Sequence, residues 1–262
     1  MLTSLNNPKV KEIALLRARA RERRERDAFL VEGLRMFLEV PEQLIRDTFV
    51  TESFLKKNDK NPALYKKLKA IGKYEVTSEE VFAKMSDTKT PQGVLCICKC
   101  LHYKKEDVLF GKDAFLLILE DLQDPGNLGT LFRTAEAAGV SGILMSKDTA
   151  DVFNPKVVRS TMGSMLRMPF YYTDDLGATL EELKAEGMKV YGAALEGSVE
   201  YTKADYKGPT GILIGNEGAG LSKDILGHTT GNVFIPMAGE VESLNASVSG
   251  AVLLYEAKRQ RG

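Results

Sequence analysis

Three short loops hold the side chains best suited to chemistry. Gly215–Gly220 reads GNEGAG and carries one carboxylate, Glu217, among glycines that let a backbone approach a ligand or take a positive φ. Pro236–Asn245 reads PMAGEVESLN and places Ser243 and Asn245 at the start of a helix. Asp121–Gly129, DLQDPGNLG, has turn chemistry at Asp124-Pro125-Gly126, followed by Asn127 and then Arg133. The order strand, tight loop, strand, tight loop, helix across Ile212–Asn245 makes a pocket from backbone groups at one end of a sheet. Such a pocket suits a small molecule.

Each of these residues also has a plainer reading. Asn127 is a natural helix N-cap, and Ser243 can cap the last helix. Arg133 points off the apolar face of its helix and reads as a solvated charge. Glu217 fits a satisfied turn carboxylate and a functional group equally. Asn245, less helix-favouring than its neighbours, is the better functional candidate there. Other chemistries find little support. The glycine order of Gly215–Gly220 is not a dinucleotide fingerprint, and no phosphate-binding GxxxxGK[ST] occurs. His102 and His228 are the only histidines, without the partners of a hydrolase triad. Cys96, Cys98 and Cys100 alternate along one strand and lack a fourth ligand at metal spacing, so they read as structural thiols.

Positioning these loops requires a sheet. Ala114–Glu120, AFLLILE, suits a strand buried on both faces of a parallel sheet. Strands are expected at Gly142–Ser146, Lys189–Leu195, Ile212–Ile214 and Val233–Ile235. Helices are expected at Asn127–Ala138, Pro155–Leu166 (broken near Gly163), Leu176–Glu186 and Ser243–Arg259. Leu244, Val248, Val252 and Tyr255 recur at helical spacing and predict the buried face of the last helix. The alternation indicates a parallel α/β domain. Before it, Lys9–Arg26 is helical and Arg-dense. Phe29–Val31 is a short apolar run, and Gly33 precedes an amphipathic segment through Val40; Leu44–Val50, Tyr74–Val76 and Gly93–Cys100 read as strands, and Pro62–Ile71 and Ser78–Met85 as helices. These form a small α/β domain, with the charged Lys104–Asp113 as linker.

The zero net charge conceals an asymmetry. Met1–Lys105 holds 22 Lys/Arg against 14 Asp/Glu, and Glu106–Gly262 holds 14 against 22. A basic half joined to an acidic half suggests that the first binds a polyanion. Lys9, Lys11, Arg17, Arg19, Arg21, Arg23, Arg24 and Arg26 are the expected phosphate contacts. The competing reading is a solvated helix paired internally through Glu22 and Glu25. No apolar run suggests a membrane span, no signal-peptide pattern opens the chain, and three cysteines suit a reducing cytoplasm.

Jointly the loops resemble the SpoU-type, TrmH-like RNA ribose 2′-O-methyltransferases of the SPOUT superfamily. The resemblance rests on LEDLQDPGNLGTLFRTAEAAG at Leu119–Gly139, LIGNEGAGLS at Leu213–Ser222 and IPMAGEVESLNASVSGAVLLYEA at Ile235–Ala257. TPQG at Thr90–Gly93 matches the family's run into the interdomain strand. The resemblance implies an L30e-like RNA-binding domain over residues 1–105 with a basic helical extension at 1–26. A linker would follow at 106–113, then a SPOUT methyltransferase domain over 114–262. It further implies a parallel sheet tied in a deep trefoil knot, crossed near Gly215–Gly220 and Ile235–Asn245, a topology that ordinary rules treat as exceptional. S-adenosylmethionine would lie bent in the knot against Gly215, Ile235, Leu244, Ala194 and Leu195, with Asn216, Gly220 and Met237 beside them. The implied partners are 23S ribosomal RNA and a second copy joined through the C-terminal domain; no metal is implied.

The family's catalytic roles transfer to Asn127, Arg133, Glu217, Ser243 and Asn245. A guanidinium is reluctant to lose a proton. Arg133 is therefore expected to bind the target phosphate and stabilise the developing alkoxide, with Glu217 and Asn127 orienting Arg133 and the ribose. Ser243 and Asn245 would hold the nucleotide. The alternatives are transfer RNA as substrate, a base methyltransferase of the same superfamily, and a non-catalytic RNA-binding or ribosome-assembly factor of the same fold.

Overall fold

The arginine-rich start of the chain is built into a core. In the computed structural model, which describes Met1–Gly262, Lys9–Arg26 forms two helices, Pro8–Ala18 and Ala20–Arg26. The chain is extended at Arg19 between them, at φ −130° and ψ 120°. Val10, Ile13 and Leu16 pack with Leu30, Phe49, Phe82 and Ile97. One face of the helix Pro8–Ala18 thus contributes to the first unit's core.

That unit comprises Met1–Leu101 together with Asp151–Leu166. Its sheet holds β1 (Ala28–Glu32), β2 (Ile45–Thr51), β3 (Glu75–Thr77) and β4 (Val94–Lys99) in the order β1-β4-β2-β3. Pairing is antiparallel except between β2 and β3. The expected helix at Pro155–Leu166 stops at Ser160, and a 3-10 turn follows at Ser164–Leu166. The break falls where Met162 and Gly163 both take positive φ. This segment was expected in the C-terminal domain, yet Pro155–Ser160 packs on β1 of the first unit.

The second unit comprises His102–Ala150 and Arg167–Gly262. Its strands are β5 (Phe115–Leu119), β6 (Gly142–Ser146), β7 (Phe170–Thr173), β8 (Lys189–Ala193), β9 (Ser198–Glu200), β10 (Thr210–Ile214) and β11 (Gly231–Phe234). They form one parallel sheet in the order β7-β6-β5-β10-β8-β11-β9. β5, β6 and β10 are buried throughout, as continuous apolar strands covered on both faces must be. The two edge strands, β7 and β9, were not expected from the sequence; both are short, at four and three residues. The expected linker is also structured. Lys105–Leu109 is a helix whose Val108 and Leu109 enter the second core, so apolar residues outweigh the surrounding charge.

The last helix, Ala246–Arg261, buries a different face from the expected one. Gly250, Leu253, Leu254 and Ala257 turn inward, whereas Val248 and Tyr255 are 47% and 49% exposed. Close packing explains the rotation. A Cβ at Gly250 would lie 2.5 Å from Leu131 Cδ2, so glycine lets this helix sit against Pro125–Ala138 and β10. The complementary face of Pro125–Ala138 is as expected, with Leu128, Leu131, Phe132 and Ala135 fully buried. No helix is long and apolar enough to cross a membrane.

Candidate active site

Neighbouring strands β5 and β10 end together, with Leu119 opposite Ile214, so the loops that follow them share one edge of the sheet. Glu120 is buried there, and its carboxylate accepts the Ser222 N–H at 2.9 Å. Asp121 takes φ 51°, a left-handed conformation that costs free energy for a non-glycine residue. Its surroundings hold it. The Ser146 hydroxyl accepts the Asp121 N–H at 2.8 Å and donates to Asp121 Oδ1 at 2.6 Å. Asn216 Nδ2 donates to the Asp121 carbonyl at 2.8 Å.

The glycine loop closes on itself. Asn216 and Gly220 exchange both backbone hydrogen bonds, at 3.1 and 2.9 Å. Asn216 Oδ1 accepts from Gly218 and Ala219 at 2.9 and 3.0 Å. A Cβ on Gly215 would overlap the Gly220 carbonyl and the Leu221 nitrogen. Gly215 therefore permits the loop to fold against itself.

Glu217 is presented by that closed loop. One carboxylate oxygen accepts the Gln123 N–H at 3.0 Å; the other accepts the Asp124 N–H at 2.8 Å and Asn127 Nδ2 at 3.1 Å. Partial burial pushes the carboxyl pKa up. The hydrogen bonds from Gln123, Asn127 and Asp124 outweigh that and hold it below the ordinary carboxylate value. Asn127 Oδ1 in turn accepts Asn245 Nδ2 at 3.0 Å. Asn245 Oδ1 accepts the Ser247 N–H and hydroxyl at 2.9 and 2.7 Å, capping the last helix. These bonds fix both amide orientations. Asn245 spends its oxygen on the helix end, so its nitrogen must donate to Asn127; Asn127 must then turn its own nitrogen to Glu217. Each amide retains one N–H for a substrate.

Two expectations change here. The helix Pro125–Ala138 is capped by Asp124, whose Oδ1 accepts the Asn127 N–H at 2.8 Å, which frees the Asn127 side chain for the site. The last helix is capped by Asn245 and not Ser243, so Asn245 serves both as cap and as network member. Ser243 is exposed and lines the adjacent pocket. Arg133 is exposed and makes no hydrogen bond or ion pair. It stands about 9 Å along the helix from Asn127, at 1.5 Å per residue. Glu217 therefore orients Asn127 and the Gln123-Asp124 turn, and it does not hold Arg133.

A pocket lies beside this network, walled by Ala194, Leu195, Ile235, Met237 and Leu244, all expected cofactor contacts. Ala193, Val233, Phe234 and Leu253 complete its apolar lining; the sequence marked them only as strand or helix residues. Gly215, Asn216 and Gly220 do not line it. From Ile235 to Leu244 no backbone group hydrogen-bonds within the chain. The pocket thus combines apolar walls with a bordering loop whose N–H and C=O groups are unpaired, a setting that suits a mostly apolar ligand oriented by a few hydrogen bonds.

The expected phosphate contacts divide. Arg23 is buried, bonded to Asp151 at 2.7 Å and to the Leu16 carbonyl at 2.6 Å. Lys9 is held by Asp47 and Glu75, whose carboxylates raise its pKa, and Arg17 caps the Lys84 and Ser86 carbonyls. Arg21 and Arg26 pair with Glu25 and Glu22. Lys11, Arg19 and Arg24 are exposed. The three cysteines are buried, and burial pushes Cys96 and Cys100 up to about 12. No group of acidic, histidine and cysteine side chains is arranged to hold a metal ion.

Comparison with known proteins supplies the family. The SpoU rRNA methylase family model matches residues 114–255, more than half of the chain. The chain belongs to this family. A model described as an MRM3-like substrate binding domain matches residues 7–96. Among SpoU relatives, the 23S rRNA (guanosine(2553)-2'-O)-methyltransferase RlmP of Bacillus subtilis is 35% identical over 254 residues, covering 97% of each chain. The AdoMet-bound rRNA methyltransferase from Sinorhizobium meliloti superposes with a TM-score of 0.86 at 31% identity, covering 98% of this chain and 97% of that one. The A. aeolicus TrmH/SpoU tRNA modifying enzyme has a TM-score of 0.51 at 28% identity and covers 58% of this chain and 77% of that one.

Proposed function

We propose that this SpoU-family enzyme methylates a ribose 2′-hydroxyl of 23S ribosomal RNA. The observation that carries the reading is the chain Glu217–Asn127–Asn245, which fixes two amide donors beside the apolar pocket. The rRNA assignment draws on relatives matched along nearly the whole chain, whereas the tRNA-modifying relative corresponds to little more than half of it.

The pocket residues fit S-adenosylmethionine. Ile235, Met237 and Leu244 would hold it through unpaired backbone groups, with Ala194 and Leu195 as apolar wall. When bound, the cofactor supplies an electrophilic methyl group. The protein's own task is alignment of the ribose and stabilisation of negative charge on its 2′-oxygen. The free N–H of Asn127 and that of Asn245 donate to ribose oxygens, and Glu217 keeps both amides from turning. Ser243 borders the pocket on the nucleotide side. Arg133 binds the target phosphate and stabilises the developing alkoxide.

The same reading takes the active form to be a cytoplasmic homodimer. Val248, Val252 and Tyr255 form a partly open apolar stripe on the last helix, which packs on the helix carrying Arg133. A second copy on this face would cover the stripe and enclose Arg133. A trefoil knot, with the chain crossing near Gly215–Gly220 and Ile235–Asn245, is part of the proposal and agrees with the parallel strand order.

The test uses S-adenosylmethionine carrying a labelled methyl group, the full chain, and ribosomal and transfer RNA from cells lacking the gene. Label on a ribose of 23S RNA is expected. Label on transfer RNA alone, or on a base, overturns the assignment. Arg133→Lys should lose most of its activity, and full activity in that variant removes the requirement for the guanidinium.

A further inference from the structure

The basic surface that the functional reading needs is not where arginine density places it. Five of the eight cations in Lys9–Arg26 are committed to carboxylates or carbonyls. A second basic region is free. Glu52–Tyr74 holds seven lysines against only Glu52 and Asp59. Lys57, Lys60, Lys66, Lys69 and Lys73 are exposed, and their side chains make no hydrogen bond or ion pair. Two tyrosines interrupt this run, with Tyr65 46% and Tyr74 43% exposed.

The two helices beneath them are capped. Thr51 caps the helix Glu52–Lys57 by accepting the Phe54 N–H. Asn61 caps the helix Pro62–Ile71 by accepting the Leu64 N–H, and Pro62 opens it. Leu64, Lys67 and Leu68 face inward, and Lys67 is spent on the Val40 carbonyl and Glu42. Helical spacing then puts Tyr65 and Lys69 side by side on the outside, with Lys66 adjacent. An aromatic ring exposed among unpaired cations is the arrangement that stacks a nucleobase while the neighbours hold phosphates. An acidic protein surface or an anionic membrane would use the lysines and leave both rings without purpose.

We infer that the surface Lys57–Tyr74, with Tyr65 and Tyr74 as stacking platforms, docks unpaired nucleotides of the substrate RNA. This rests on the reading of the chain as an RNA-modifying enzyme and names the surface by which it holds its substrate.

The test measures binding of a short oligouridine, and of duplex RNA of equal length, to the full chain. Tyr65→Ala with Tyr74→Ala should weaken oligouridine binding about tenfold or more, given the usual strength of base–aromatic stacking. Duplex binding should be unchanged, and Tyr65→Phe should be neutral because the ring and not the hydroxyl matters. Lys66→Gln, Lys69→Gln and Lys73→Gln together should lower the slope of log K against log salt by about 0.7 for each single-strand phosphate no longer neutralised. An unchanged slope in this triple variant, with Arg19→Gln and Arg24→Gln lowering it instead, overturns the inference. So does an equal loss on duplex RNA. Failed methyl transfer with intact oligouridine binding would strike the functional reading and leave this surface standing.

Discussion

The two loops beside the candidate site treat their backbones in opposite ways. Gly215–Gly220 spends its polar groups on itself and on Asp121, through the Asn216–Gly220 pair and the Asn216 amide. Ile235–Leu244 spends none within the chain. The first loop is rigid without a ligand and presents a side chain, Glu217. The second offers backbone groups to whatever fills the pocket. A glycine-rich loop is thus not automatically the ligand's cradle; here its glycines serve self-closure, and the sequence PMAGEVESL holds the open backbone.

The most drastic way to break this contrast is Gly215→Ala. The added methyl has no room beside the Gly220 carbonyl and Leu221 nitrogen, so the loop must open. Such backbone overpacking should cost about 3 kcal/mol or more. Activity should be abolished, and thermal unfolding with a methyl-transfer assay checks both. A stable, active Gly215→Ala enzyme would mean that the loop does not need its closed form.

Glu217→Gln comes next. The amide can satisfy one N–H of the Gln123-Asp124 turn but turns its own donors toward another. The rate of methyl transfer should fall about 100-fold, the usual scale for removing a preorganised polar group, with cofactor affinity unchanged. The pH dependence has a definite sign. Because hydrogen bonding depresses the Glu217 pKa, its contribution is present above the unfolded carboxylate value and is lost as pH falls through the depressed folded value. The wild-type site should therefore hold below the ordinary carboxylate range. Glu217→Gln should show no such acid-side step in loop exchange.

These variants bear on how much the sequence revealed. The parallel sheet was legible because β5 is apolar throughout and β6 and β10 have apolar centres, a pattern that survives without neighbours in view. The site loops were legible because each follows a strand end. The roles within them were not. Asp124 and Asn127 are three residues apart and both cap well, so which one caps depends on the Glu217 carboxylate, which is 90 residues away in sequence from Asn127. The last helix misled for a related reason. The expected face of Val248, Val252 and Tyr255 stays partly open, while Leu253 and Leu254 are buried beside Gly250 and Ala257, small residues that carry no apolar signal. Charge density misled in the first unit, because Arg23 sits in a dense run of arginines yet is buried against Asp151.

Asn245→Asp and Asn245→Ala separate the two duties of one residue. Aspartate caps a helix as well as asparagine, so stability should persist, but it cannot donate to Asn127 Oδ1. Activity should drop, by a smaller factor than in Glu217→Gln, about tenfold to thirtyfold as expected for one missing donor. Alanine removes the cap as well, at a further cost of about 1 kcal/mol in stability. Full activity in Asn245→Asp, with stability lost only in Asn245→Ala, would make Asn245 a cap alone.

The smallest effect tests the contrast most directly. Amide exchange should be fast at Ile235, Met237 and Leu244 in the free chain, since those groups have no partner. It should be slow at Gly218, Ala219 and Gly220, whose N–H groups are already bonded within the loop. Adding S-adenosylmethionine at about ten times its Kd should slow exchange in the first set roughly tenfold, as mass action requires of a ligand that orders them. The second set should hardly change, because closure there precedes binding. Protection appearing in both sets would show that the glycine loop also closes around the cofactor. Protection appearing only in Gly218–Gly220 would reverse the assignment and return the cradle to the glycines.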